Sequence, residues 1–106
     1  MGEGPWELCE VRAERRRGFG IGWSYRLEAV MLSAVGASVI DRDKIGPALR
    51  LFPQADDDPR FRAMRAAMTT RLLAQGWEPT SSVVDGHGAT LPRFRRRVTD
   101  NRPGRG

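Results

Sequence analysis

Apolar and polar positions alternate most cleanly over residues 19–32. Ile21, Trp23, Tyr25, Leu27 and Ala29 fall on one side, and Gly20, Gly22, Ser24, Arg26 and Glu28 on the other. A period of two predicts a strand with one buried face, as in an antiparallel sheet. Residues 6–14 precede it with a mixed pattern: Trp6 and Leu8 occupy even positions, Cys9, Val11 and Ala13 odd ones. The apolar side changes partway, which predicts a bulge or burial on both faces. The two strands are expected to form a hairpin across a polar turn at Arg15, Arg16, Arg17 and Gly18. A second turn at residues 33–36 and a short third strand at 37–41 follow. Residues 42–58 contain Gly46, Pro47, Pro53 and three consecutive aspartates, and read as a long connection with one short element around 49–52.

The period then lengthens. Phe61, Met64, Met68, Leu72 and the stem of Gln75 recur at spacings of three and four, the stripe of a helix with one apolar side. Asp58 suits the N-cap and Pro59 the first helical position, and Asp56, Asp57 and Asp58 put negative charge at the positive end of the dipole. Gly76 is placed to end the helix, giving a span of 59–75, about 25 Å long. Trp77 opens a strand reaching residue 84, Asp85, Gly86, His87 and Gly88 form a turn, and residues 89–98 return as the last strand. Pro92 inside that strand argues for an edge position or a bulge. The expected architecture is α+β: a single, mostly antiparallel sheet in the order β-β-β-α-β-β, with one helix packed on one face. Trp6, Trp23, Phe61 and Trp77 are the expected core anchors. Residues 1–98 form the domain, and 99–106, polar with Pro and two Gly, a mobile basic tail.

Composition narrows the classes. A chain of 106 residues has room for one domain with a modest core. The longest apolar-rich stretch, 29–40, is broken by Ser33, Gly36 and Ser38 and falls short of the roughly 20 residues that span a bilayer. Residues 1–10 lack the basic region and apolar core of a secretory signal. Cys9 is the single cysteine and His87 the single histidine, so neither an internal disulfide nor a zinc cluster of Cys and His is expected. These features fit a cytoplasmic protein without metal or cofactor. Of 18 basic residues only Lys44 is not arginine. Selection for guanidinium groups that fork onto phosphate is one explanation. Arginine-favouring codons of a GC-rich genome are the other. The placement of charge says more: residues 1–92 hold 12 basic and 12 acidic residues, whereas 93–106 hold six arginines against Asp100, a net +5. The formal charge of the chain is therefore that of its end.

Three segments carry a resemblance. Trp6-Glu7-Leu8-Cys9-Glu10-Val11, Leu72-Leu73-Ala74-Gln75-Gly76-Trp77-Glu78-Pro79 and Phe94-Arg95-Arg96-Arg97 together resemble a group of small bacterial proteins, many of them actinobacterial, of unknown function. Those chains open with a Trp-Glu strand, carry a helix ending in Gly-Trp-Glu, and close with a Phe-Arg/Lys-Arg strand. The resemblance implies a fold and no chemistry.

The remaining motifs are weighed by their chemistry. Gly18, Gly20 and Gly22 alternate along a strand, without the spacing or the following helix of a phosphate loop. His87 sits between two glycines with no nucleophile motif pointing to it, Cys9 reads as a small core residue, and the aspartates read as a cap rather than a calcium loop. A non-enzymatic interaction module is therefore expected, with a protein partner or a second copy paired through the edges of the sheet. The alternative is nucleic-acid binding through Arg93, Arg95, Arg96 and Arg97 of the last strand and Arg102 and Arg105 of the tail, joined by Arg15, Arg16 and Arg17 if the two ends lie close. Exposed aromatics for stacking bases are not evident in the pattern.

Overall fold

The computed structural model describes residues 5–17 and 21–98. The expected tail, Arg102 and Arg105, and the proposed start of the second strand at Phe19 lie outside them. The elements are β1 (Trp6–Arg17), β2 (Trp23–Ser33), β3 (Gly36–Ile45), a one-turn 3-10 segment (Ala55–Asp57), α1 (Pro59–Ala74), β4 (Glu78–Val84) and β5 (Thr90–Arg97). They form one antiparallel sheet in the order β3-β2-β1-β5-β4, with the helix on one face. This is the α+β arrangement that the alternation and the single helical stripe predict.

The helix is fixed at both ends by the residues expected there. Asp58 is almost wholly buried and its Oδ1 accepts the Arg60 amide at 2.9 Å. At the other end Gln75 is the C-cap and Gly76 has φ +90°. The Gly76 amide donates to Leu73 O at 3.1 Å and the Trp77 amide to Leu72 O at 3.2 Å, the paired bonds of a Schellman cap. Its accompanying apolar contact is Leu72 with Trp77, both in the core. Phe61, Met64, Met68 and Leu72 bury the helical stripe against Cys9, Val11, Tyr25, Leu27, Ala29 and Phe94. Each fully buried large side chain contributes roughly 1.5–3 kcal/mol. Tyr25 and Phe61 meet ring to ring at 4.9 Å between centroids.

Several expectations are corrected. Arg15, Arg16 and Arg17 are not a turn but strand residues, paired with Tyr25, Ser24 and Trp23. β1 has no bulge along this ladder; Trp6 and Leu8 simply point to the face the helix does not cover. Trp6 is therefore only half-buried and outside the core, and Trp23 packs at its margin, while Phe94 joins the expected anchors Phe61 and Trp77. β3 is twice the expected length, because a bulge at its pairing with Ala29 and Val30 lets it continue through charged residues to Ile45. Asp41 and Asp43 then reach Arg71 of the helix, at 2.8 and 3.6 Å. The short element of the connection is not at 49–52 but at Ala55–Asp57. Pro92 lies neither on an edge strand nor in the bulge: β5 runs between β1 and β4, and its ladder with β1 covers only Arg93 to Arg97, leaving out the preceding proline, which lacks an N–H. The nearby register shift is in β4, between Pro79 and Ser81.

The connection 46–54 is held rather than loose. Arg15 donates to Pro53 O at 2.8 Å, Arg60 to Gly46 O at 2.8 Å, and the Gly22 amide to Ala48 O at 2.9 Å. Gly22 is required by proximity: a Cβ there would lie 2.6 Å from Arg50 O and 2.9 Å from the Ala48 amide nitrogen. Gly22→Ala is therefore expected to destabilise the fold by about 1–3 kcal/mol. Gly46→Ala, with no atom within 4 Å of the added methyl, should leave the urea midpoint unchanged. Equal midpoints for the two variants would refute the packing assigned to Gly22.

Candidate functional site

Strand alternation divides the arginines of β5 between two faces. Phe94 enters the core opposite Cys9, and Arg96, two residues on, lies on the same side. Arg96 donates to Glu7 Oε1 at 3.2 and 3.1 Å and to Gln75 O at 3.1 Å, with its guanidinium 4.2 Å from the centroid of Trp77. A cation on the carbonyl end of the helix is favourable, so Arg96 closes the helix onto the sheet.

Arg93, Arg95 and Arg97 point the other way, onto the face without a helix, and all three are exposed. Trp6 lies beside them, opposite Arg97 in register, with the Arg95 guanidinium 4.3 Å and that of Arg97 5.2 Å from its ring centroid. Stacking of this kind is worth about 0.5–1 kcal/mol at exposed sites. Arg95 also meets Glu78 at 3.4 Å, a pair open to water, while the guanidinium groups of Arg93 and Arg97 form no salt bridge among the described residues.

The rest of this face is ordered by register. Arg95, Leu8, Leu32 and Ala37 make one row, and Arg93, Glu10, Val30 and Val39 the next. Leu8 is 49% and Val39 41% exposed. Farther along β1 the rows become charged: Arg12, Glu28 and Arg42, then Glu14, Arg26 and Lys44. Here opposite charges meet, Arg42 with Glu28 at 3.2 Å and Arg26 with Glu14 at 3.7 Å. One end of the face is thus apolar and bordered by arginine, the other a mosaic of paired charge.

The arginines of β1 do not join those of β5. Arg16 stands six residues along β1 from Glu10, the partner of Arg93, or about 20 Å. Arg15 turns to the helix side, where it holds Pro53 and lies 4.2 Å from the Trp23 ring centroid; Arg17 stacks on the same ring at 5.2 Å. The structure therefore brings together Arg93, Arg95 and Arg97, separates Arg15, Arg16, Arg17 and Arg96 from them, and adds Trp6, which the sequence reading placed in the core. The signal for Trp6 was present in the change of apolar side between Leu8 and Cys9.

Cys9, Asp56 and Asp58, which are suited to acid, base or nucleophilic chemistry, are engaged in packing and capping. Burial pushes the Cys9 thiol up to about 11, against the pull of Arg96. His87 is exposed in a turn in which Asp85 Oδ1 accepts its amide and that of Ala89. Asp58 caps the helix. Asp56 accepts from the Thr90 amide at 2.9 Å, the Thr90 hydroxyl and Arg65, tying the 3-10 turn to β5 and the helix. Burial raises the pKa of Asp56, but the hydrogen bonds from Thr90 and the Arg65 charge outweigh it, so the carboxyl lies below its ordinary value. Compared with protein-family models, curated proteins and solved structures, the chain matches none.

Because the folded pKa of Asp56 is depressed, its contribution is present above the unfolded value, about 4, and is lost as pH falls through the folded one. Asp56→Asn is expected to be less stable than the parent at pH 7 by about 1–3 kcal/mol, with the gap narrowing towards pH 2. Urea unfolding across that range measures it. A gap that does not change with pH would remove the carboxylate from this role.

Proposed function

We propose that this domain is a non-enzymatic interaction module that binds through the open face of its sheet. The observation that carries the reading is the strip Trp6, Leu8, Leu32 and Val39, left uncovered by the helix and bordered by Arg93, Arg95 and Arg97. Apolar surface gathered in one patch and rimmed by polar groups is typical of binding surfaces. Arginine and tryptophan together are the side chains that most often dominate interface energetics. The assignment of Cys9, Asp56 and Asp58 to packing and capping favours binding over catalysis.

The sheet edges favour a further element of the same reading, pairing with a second copy. β3 exposes Arg42 and Lys44 beside a bulge, the features that discourage added strands. β4 has every residue exposed, and its stretch from Ser81 to Val84 is uncharged, with Val84 68% accessible. A second copy would add there by main-chain hydrogen bonds.

Light scattering coupled to gel filtration, with the protein as bait in extract of its source cells, tests both elements. The wild type is expected to dimerise and the Val83→Lys/Val84→Lys variant to stay monomeric. A retained partner should be lost from Leu8→Glu and kept by Arg16→Gln. A monodisperse monomer that retains nothing would sink the proposal.

A further inference from the structure

We infer that the ligand of the open face is single-stranded nucleic acid, its phosphates lying along β5 on Arg93, Arg95 and Arg97 and a base stacking on Trp6. The inference rests on the open face being the binding surface and adds the class of partner.

Charge complementarity argues first. The carboxylates of β1 and β2 on this face, Glu10, Glu14 and Glu28, are matched by Arg12, Arg26 and Arg42, so the unmatched positive charge of the apolar end comes from β5. Alternate residues of a strand recur at about 6.8 Å, close to the separation of neighbouring phosphates along an extended strand. A row of three guanidinium groups at that repeat can follow a backbone without selecting its sequence. The single carboxylate contact in the row, Arg95 with Glu78 at 3.4 Å, is between groups 48% and 60% exposed, and so weak. A phosphate can replace it.

Trp6 argues for bases as well as phosphates. Its ring is half-buried on the outer face, already bears guanidinium groups at 4.3 and 5.2 Å, and borders Leu8, 49% exposed. An aromatic beside a basic track is the arrangement that holds unpaired bases, which offer a π-face to it. Paired bases do not. Around this patch the face is a sheet surface, with no helix to enter a groove, so the geometry suits a single strand better than a duplex. An acidic peptide would satisfy the arginines and leave the Trp6 ring with no specific partner.

The test uses the full chain and fluorescence anisotropy of labelled 12-mer oligonucleotides, single-stranded and duplex, from low to moderate salt. A labelled polyglutamate peptide is run beside them. The single strand is expected to bind more tightly than the duplex, with log affinity falling against log salt at a slope of about −2, for three phosphates. Arg93→Gln/Arg95→Gln/Arg97→Gln should abolish that slope. Trp6→Leu should weaken the single strand about tenfold or more and leave the duplex unchanged. Arg16→Gln/Arg17→Gln, far along β1, should change neither. Thermal melts followed by circular dichroism establish that each variant is folded, and Trp6→Phe, which keeps a π-face, should restore most of the binding lost in Trp6→Leu. Equal binding of duplex and single strand, or equal loss from the β1 arginine variant, would overturn the inference by showing a diffuse charge effect. Binding of polyglutamate but not of the oligonucleotides would overturn it and leave the open-face reading intact. Binding of neither at low salt would also overturn it, and then the partner and light-scattering experiment alone decides the open-face reading.

Discussion

The position of Phe94 in the core governs much of what this molecule presents to solvent. Opposite Cys9 and beneath the helix, it sets the parity of β5. Once Phe94 points inward, Arg96 must follow it and Arg93, Arg95 and Arg97 must point outward, because a one-residue slip would exchange every side chain between faces. The Schellman cap reinforces this register. Trp77 is buried as the last residue of that cap, β4 starts one residue later, and Arg96 lies across Trp77 while bonding the Gln75 carbonyl. The helix end, the β4–β5 hairpin and the parity of β5 are therefore fixed together. A change intended to weaken the surface row leaves this unit untouched, whereas a change at Phe94 or Trp77 would disturb both.

A single helix of 16 residues cannot cover both faces of a five-stranded sheet. The helix is placed over β2 and β3 by ion pairs from Arg71 to Asp41 and Asp43, and over the far side by Arg65 reaching Asp56 and Thr90. What remains is an open face whose solution to exposure differs along its length. Along the later half of β1, where Arg12 and Glu14 align with Glu28, Arg26, Arg42 and Lys44, alternating charges in register keep it wet and discourage stacking of copies. Towards β5 that mosaic stops, and leucine, valine and tryptophan take its place. Long arginine side chains shield part of this strip with their stems.

Much of the architecture could be read from local chemistry. The cap residues Asp58 and Gly76, the helical stripe from Phe61 to Leu72 and the alternation of β2 from Trp23 to Ala29 each have a single physical interpretation and are found as expected, whereas Gln75 and Ile21, expected on the same buried faces, are exposed. The failures share a cause. The run Arg15-Arg16-Arg17 has turn-like polarity, yet Arg15 stacks on Trp23 and holds Pro53 across 38 residues, a partner no local pattern reveals. Residues 46–54 have loop composition but are fixed by Gly22, Arg15 and Arg60 from elsewhere in the chain. Tryptophan usually belongs to a core, but for Trp6 the even-numbered position, out of phase with Cys9 and Val11, is the better guide. The alternation of Arg93, Arg95 and Arg97 against Phe94 and Arg96 was legible. Their separation from the β1 arginines was not, since it depends on β5 pairing with the start of β1 rather than its end.

The excess of arginine over lysine now divides into two populations. Arg15, Arg60, Arg65, Arg71 and Arg96 each combine several contacts: a carbonyl with an aromatic face, two atoms of one carboxylate, or a carboxylate with a carbonyl. A planar fork makes such contacts simultaneously and an ammonium does not. Codon usage need not be invoked for these positions, because the fold uses the guanidinium at each. Arg93, Arg95 and Arg97 differ. Stacking on Trp6 occupies one side of Arg95 and Arg97, and most of the hydrogen-bonding edge of the row faces water. Compositional drift would scatter such underused groups over the surface. Here the sheet aligns three of them at one repeat beside the half-exposed tryptophan of β1, and that alignment is what makes the row a candidate for recognition.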